Sequence, residues 1–411
     1  MNSTRENNII KLLSQPRIIF IFFFGLSSGL PIKLTSETLQ LWCLDRGVSL
    51  EAVGLFSLVG LPYVFKFLWA PLFDCFSVPF LGRRRGWILV TQVALLVFIF
   101  LLSLIGITQS LWLTAIIVFL ISFFSASQDI VLDAHRRDSL EDLELGFGNS
   151  LFVIGYRVAL VISGACSIKL ATILSWNEVY LLNTALVLVC IYFTFKAPEP
   201  KCETVNLSFK VALLVPIVEL YSRLNKLGNL FYLIVFIIFY KVGDTLAATL
   251  TTPFLQALGY TKTEIALYGE SFGLASLLFG TFLGGVILTH TKLVKFLNIC
   301  CWVQAISTLA FVLLCYCGHN LLVFTLVEFF EKFTYGMGTI AFMAFLMKLT
   351  NRSYSASQYS FLTCIIFFLP RLLGVYSGYF VTATSWQCFY IVCTLIALPS
   401  LILVNKIKEW C

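Results

Sequence analysis

"RVALVISG" at residues 157–164 and "RLLGVYSG" at residues 371–378 carry Arg, Ser and Gly in matching places, 214 residues apart. The same offset lays Gly29 of "SGLP" (28–31) on Gly243 of "KVGD" (241–244), and it nearly lays Gly47 on Gly259. Three separate places agreeing on one spacing make the chain a duplication of an apolar unit. "SASQ" also occurs twice, at 125–128 and 355–358, but its separation of 230 is out of register, and the echo is taken as coincidence.

Composition sets the solvent for that unit. Of 411 residues, 59% are hydrophobic and 12% charged, against about 45–50% and about 25% in soluble domains. Cutting at Pro, Gly and charge clusters leaves apolar segments of roughly 20 residues, enough to cross about 30 Å of hydrocarbon. They start near residues 17, 51, 87, 111, 148, 177, 229, 262, 293, 321, 354 and 386. The expectation is an all-α integral membrane protein with twelve transmembrane helices in two six-helix pseudo-repeats. An N-terminal bundle spans 1–196 and a C-terminal bundle 229–411. The cytoplasmic linker 197–228 between them carries "KAPEPKCETVNLSFK". The first segment is too long, and too poor in a small-residue cleavage site, for a removed signal peptide.

Short cytoplasmic loops collect Lys and Arg. With both termini cytoplasmic, nineteen of the 28 cations fall on the inner side, including Arg83, Arg84, Arg85, Arg136 and Arg137, and only Arg46, Lys169 and Lys262 on the outer. The net charge of +7 is then a property of the inner loops and does not imply a nucleic-acid partner. The 13 cysteines are scattered and lack metal-type spacing, so they read as reduced packing thiols. His135, His290 and His319 each stand alone near a loop. Nothing in this pattern supplies the nucleophile, base or metal cluster of an enzyme, and no cofactor is implied.

Six cations remain inside the spans, Lys33, Lys66, Arg157, Lys241, Lys332 and Arg371, together with six acids, Glu37, Asp129, Asp244, Glu270, Glu328 and Glu331. Each costs about 2.5–3.5 kcal/mol or more at mid-membrane, so they must face one another or a watery cavity. Lys33/Glu37 and Glu328/Lys332 are spaced i,i+4 and Lys241/Asp244 i,i+3, which puts each pair on one helix face. Structural ion pairing is the simpler account of any single pair. Twelve such charges together point to a pathway for a polar solute, because a protein that only stands in a bilayer has apolar packing available.

Two parallel six-helix repeats are the plan of the major facilitator superfamily, with substrate held at the midplane while the halves rock. "DCFSVPFLGRRRGW" (74–87) resembles that superfamily's loop between the second and third helices. Asp74 with Arg83, Arg84 and Arg85 then forms a candidate charge latch across helix ends. The corresponding "THTKLVKF" (289–296) lacks the acid, so any latch there is weaker or absent. "SGLPIKLTSETLQLW" (28–42), "FSLVGLPYVFKFLWAPLFD" (56–74), "GRRRGW", "SASQDIVLDA" (125–134), "YKVGDTLA" (240–247) and "GMGTIAFMAFLMKL" (336–349) together resemble the AmpG family of muropeptide permeases. The likeness is collinear over nearly the whole chain. It implies import of anhydromuropeptides, sugar-peptide fragments of peptidoglycan, across the bacterial inner membrane with protons. The chain departs from the family at "DAHRRD" (133–138) and holds no helices beyond twelve.

A proton carrier must be an acid that is alternately dry and wet, and Asp129 and Asp244 are the candidates for proton coupling. Two rival roles stand for Asp129: an ion pair with Lys33 or Arg157, or orientation of Gln128 for a substrate hydrogen bond. Asp133, nearer the helix end, is a candidate gate partner of Arg136 or Arg137. An anionic sugar-peptide needs cations and amides, and the substrate-binding candidates are Lys33, Lys66, Gln128, Arg157, Lys241 and Arg371. The arginines suit carboxylates because they can grip bidentately. Gly25, Gly29, Gly336 and Gly338 serve either flexing or close helix packing. Tyr63, Tyr156, Tyr240 and Trp42 are candidates for lining the cavity. The expected partners are the substrate, protons and lipid, with the chain acting as a monomer. Two alternatives stand beside muropeptide import: transport of another organic anion such as acetyl-CoA or a nucleotide derivative, and a non-transporting sensor on the same fold.

Overall fold

The computed structural model describes residues 16–79, 81–107, 111–200, 209–224 and 227–407. Long helices dominate it. The first part of the chain runs α1 (Pro16–Leu34), α2 (Glu37–Asp45), α3 (Leu50–Leu55), α4 (Leu61–Phe65), α5 (Ala70–Cys75), α6 (Arg84–Ile105), α7 (Leu111–Ser139), α8 (Leu145–Val161), α9 (Ser167–Leu170), α10 (Trp176–Lys196) and α11 (Phe209–Arg223). The second runs α12 (Leu227–Ala257), α13 (Lys262–Glu264), α14 (Phe272–His290), α15 (Leu293–Cys317), α16 (Leu321–Leu349), α17 (Ser355–Ala383) and α18 (Trp386–Ile407). A helical stretch lies at each of the twelve places where the sequence predicts a span. Among the described residues nine helices are long and apolar enough to cross a membrane. A tenth span is α16 taken with the helix after it, the two bent by 101° to each other.

The chain forms two compact units. One comprises Met1–Glu141, Leu151–Pro216 and Thr350–Ser360, the other Asp142–Ser150, Ile217–Leu349 and Phe361–Cys411. Each therefore takes a short stretch from the opposite half of the sequence.

In the first unit, α1 and α8 touch backbone to backbone. A Cβ on Gly25 would lie 2.0 Å from the Phe152 carbonyl oxygen, and one on Gly155 would lie 2.2 Å from that of Phe22. Gly29 meets Tyr156 in the same way at 2.5 Å, so the close-packing account of these glycines holds. The first span breaks at Leu34, where Thr35 and Ser36 hydroxyls turn back to Pro31 and Ile32 carbonyls and Tyr180 donates to the Leu34 carbonyl at 2.8 Å. The second span is fragmented into α3, α4 and α5, with 3₁₀ turns at Phe56–Gly60 and Lys66–Leu68. Pro62 and Pro71 explain this, since each removes a backbone donor and crowds the preceding turn. Leu39, Trp42, Leu95, Ile99, Ile121 and Tyr180 make the core above it.

The second unit repeats this design. Val242, Phe254, Phe311, Phe324 and Tyr390 form its core. α14 and α16 pack through Gly280 and Gly336, whose added Cβ atoms would meet the Phe333 and Leu277 carbonyl oxygens at 2.1 and 2.5 Å. Trp42 packs on Trp176 and Tyr180 in the first unit, and Phe254 packs on Trp386 and Tyr390 in the second. "SWNEVY" (175–180) and "SWQCFY" (385–390) are the matching sequence signals. Left-handed glycines close equivalent helix ends, Gly47 with Gly259 and Gly106 with Gly318. Trp42 is thus a buried core residue, not a cavity lining.

Candidate functional site

Asp129 sits in the lower part of α7, where its Oδ1 accepts a hydrogen bond from the Ser28 hydroxyl at 2.6 Å. Next to it, the Ser27 hydroxyl accepts from the Gln92 side chain at 2.9 Å and from the Gln128 side chain. Serines of α1 therefore gather amides from α6 and α7 around the acid. Trp69 donates its indole N–H to Ser127 at 3.0 Å and closes the wall from the second span. The charges that act on Asp129 include Lys66, Asp133 and Arg136. Lys66 is buried at the 3₁₀ turn that the prolines impose. Of the cations weighed for Asp129 from sequence, Lys33 is held by Glu37. Arg157 lies 5.9 Å from the Tyr156 ring with its Nε unpartnered. Neither forms an ion pair with Asp129.

Asp133 is paired as well, and the partner is Arg136 at 2.6 Å. The Arg136 guanidinium is buried and stacks 3.8 Å from the Phe152 ring centroid. The ring contact and the ion pair hold one face and one edge nitrogen of the guanidinium, while its Nε and Nη1 are buried without a partner among the described residues.

The second unit carries a comparable set. Asp244 accepts from the Gln304 amide at 2.6 Å, and Lys241 lies 4.0 Å from the same carboxylate. Lys241 also donates to Thr339 at 3.2 Å and stands 4.1 Å above the Tyr335 ring. Tyr240 donates to the Gly338 carbonyl and stacks on Phe342. Gln304 occupies the place in α15 that Gln92 occupies in α6. Each unit thus has an acid satisfied by one neutral donor and a lysine near it. Lys332 lies 3.1 Å from Glu331 and 3.8 Å from Glu328, so all three pairs expected from spacing form. The Arg371 side chain lies outside the described residues.

The loop motif builds the most heavily bonded polar cluster described. Arg84 is wholly buried and donates to Asp138 from Nε at 2.7 Å, to the Phe73 carbonyl from Nη1 at 2.9 Å, and to Asp74 at 2.8 Å and Ser355 at 2.7 Å from Nη2. Asp74 in turn accepts from the Ala356 N–H, the Ser357 N–H and the Ser357 hydroxyl. A carboxylate at the first turn of α17 answers its exposed N–H groups and its dipole. Arg83 adds a 3.6 Å contact to Asp138. Arg85 points elsewhere, to the Ala197 carbonyl, while Glu199 caps α6 through the N–H groups of Arg84 and Arg85, both at 2.7 Å.

Ser27, Ser28, Gln92, Asp138, Glu199, Ser355, Ser357 and Gln304 are the members of these clusters that sequence reasoning missed. Gln92 and Gln304 had a signal, a repeat spacing of 212. The serines and Glu199 had none, since their partners lie 65 to 283 residues away.

Comparison with known proteins agrees with this geometry. The Major Facilitator Superfamily model matches residues 18–375. The anhydromuropeptide permease of Escherichia coli strain K12 is 38% identical over 410 residues, 98% of this chain and 82% of its own length. Putative transporter AmpG 1 of Rickettsia conorii is 30% identical over 415 residues, 97% of this chain and 99% of its own. Among solved structures, the human organic anion transporter MFSD10 superposes with a TM-score of 0.70 at 14% identity, covering 95% of this chain and 99% of its own. FucP in its outward conformation reaches 0.68 at 13%, covering 96% and 98%. At these identities the solved structures speak for the fold alone.

Proposed function

The chain belongs to the major facilitator superfamily and, within it, to the AmpG-type muropeptide permeases, and from that premise we propose that it imports anhydromuropeptides across the bacterial inner membrane by proton symport. The observation that carries the cargo is the collinear 38% identity to the anhydromuropeptide permease over 98% of the chain. Proton coupling draws its support from the two acids, Asp129 and Asp244, each hydrogen-bonded by a neutral side chain and faced by a lysine. Protonating Asp244 would loosen its hold on Lys241, 4.0 Å away, and that is a change a gate can follow. Lys66, Arg157, Lys241 and Gln128 suit the carboxylates and amides of a sugar-peptide. The Asp74–Arg84–Asp138 cluster with the start of α17 suits a latch that opens and closes in each cycle. The bias of Lys and Arg supports a multi-pass protein with both termini cytoplasmic, and one chain holds both repeats, which supports a monomer.

The test is uptake of labelled N-acetylglucosaminyl-anhydromuramyl peptide by proteoliposomes under an imposed pH gradient. Gradient-driven accumulation that collapses when a protonophore dissipates the gradient is expected. A folded protein that accumulates nothing would overturn the cargo. Accumulation indifferent to the protonophore would overturn symport and leave the cargo standing.

A further inference from the structure

Away from the acids and the latch, the second unit holds a cavity of about 870 Å³. Lys292 and Lys295 reach it from the start of α15, and Lys348 from the end of α16. Asn298 and Asn405, hydrogen-bonded to each other at 3.4 Å, add amides to its wall, and Asp142 is the acid in the lining. Among the described residues none of the three ammonium groups is paired with an acid. Lys292, the residue that caps α15, makes no side-chain hydrogen bond to the first N–H groups of that helix.

The tendency of inner loops to be basic explains why lysines lie at this membrane face. It does not explain why three of them, from two helices, converge on one cavity. Three cations against one carboxylate leave the site two charges positive, which calls for an anion. The surface beside it is apolar: Leu143 and Ile299, both in the lining, are 77% and 44% exposed. From Ile299 an exposed stripe continues along α15 through Trp302 and Ile306, at 55% and 54%. Those spacings of three and four residues keep the stripe on one helix face. An anionic head joined to a hydrocarbon tail satisfies both halves.

We propose that this cavity binds the phosphate headgroup of an anionic phospholipid, with an acyl chain lying along Ile299, Trp302 and Ile306. Basic pockets between transmembrane helices at the inner face recognise such headgroups, each lysine contributing roughly fivefold in affinity. A free phosphate would engage the same lysines but has nothing to lay on the stripe.

The test uses the full chain purified in mild detergent and titrated with phosphatidylglycerol, phosphatidylcholine or inorganic phosphate, reading bound lipid by native mass spectrometry and the melting temperature. Phosphatidylglycerol is expected to bind and raise Tm, and K292Q/K295Q/K348Q is expected to need about 100-fold more of it. The triple arginine variant, which keeps the charge, is expected to behave as wild type. Because all three side chains lie at the rim of a cavity, the glutamine variant's Tm without lipid serves as its folding control, and K348Q alone should give the same trend at about fivefold. An unchanged titration in the triple glutamine variant would overturn the site. An equal response to phosphatidylcholine would overturn recognition of charge, and an equal response to inorganic phosphate would overturn the lipid.

Discussion

Arg84 donates to two carboxylates, a carbonyl and a hydroxyl while hidden from solvent, and its acid partners are at most 3% exposed. Removing it leaves Asp74 to the first turn of α17 and Asp138 to the 3.6 Å contact with Arg83, so Arg84→Ala should cost about 3–5 kcal/mol and lower the melting temperature in detergent by many degrees. Arg84→Lys should recover only a small part, because an ammonium cannot bridge Asp74 and Asp138 while also reaching Phe73 and Ser355. A lysine variant melting with wild type would show that charge alone holds the cluster. The Asp74–Arg84 half of this site was legible from "DCFSVPFLGRRRGW", since ten residues around one loop leave few other partners. Asp138, Ser355 and Ser357 were not, because only tertiary packing brings the ends of α7 and α17 to that loop. Asp129 shows the same limit. Sequence named it and offered Lys33 or Arg157 as partners, but the prolines of the second span bring Lys66 into reach, and local spacing already gives Lys33 to Glu37.

At the scale of helices, glycine decides which pairs approach closely. Gly25 and Gly378 look alike in an apolar sequence, yet a methyl on Gly25 would lie 2.0 Å from the Phe152 carbonyl oxygen and one on Gly378 would meet nothing within 4 Å. Gly25→Ala should therefore force α1 away from α8 and destabilise by about 1–3 kcal/mol or more, as overpacking does. Gly378→Ala, in mid-helix, should be neutral or stabilising by up to about 1 kcal/mol. Thermal unfolding of the two variants beside wild type checks the contrast, and equal shifts would refute the tight α1–α8 contact. Positions of helices were legible throughout, because twenty apolar residues can do little else in a bilayer. The breaks were less so. Pro62 and Pro71 announce disruption, but whether the chain kinks, tightens to 3₁₀ or ends depends on neighbours that α7 supplies.

Duplication organises the molecule as a whole. The duplication seen in "RVALVISG" and "RLLGVYSG" reappears in the structure, at spacings of 210 to 212, as paired aromatic stacks, paired left-handed glycines and the paired glutamines Gln92 and Gln304. The repeats nonetheless place their acids differently. Asp129 comes from α7, the fourth span of its half, and Asp244 from α12, the first of the other. That asymmetry predicts different tasks for the two acids. In the Asp244 set the lysine is three residues away on the same helix and bonded to Thr339, which suits a fixed binding pair. In the Asp129 set the carboxylate is bonded to Ser28 of another helix and forms no ion pair with Lys66 of the broken second span, which suits an acid whose charge is free to change. Asp129→Asn should then abolish pH-driven accumulation of labelled anhydromuropeptide by more than about 10-fold while preserving its exchange across the membrane without a gradient, because binding survives and coupling does not. Asp244→Asn should weaken both together, since removing the carboxylate leaves Lys241 unpaired in an apolar interior. Measuring accumulation and exchange side by side on both variants separates the roles. If Asp129→Asn lost exchange in step with accumulation, its acid would belong to binding. If accumulation survived both substitutions, the proton would have to travel through other buried acids, such as Glu328 and Glu331 around Lys332.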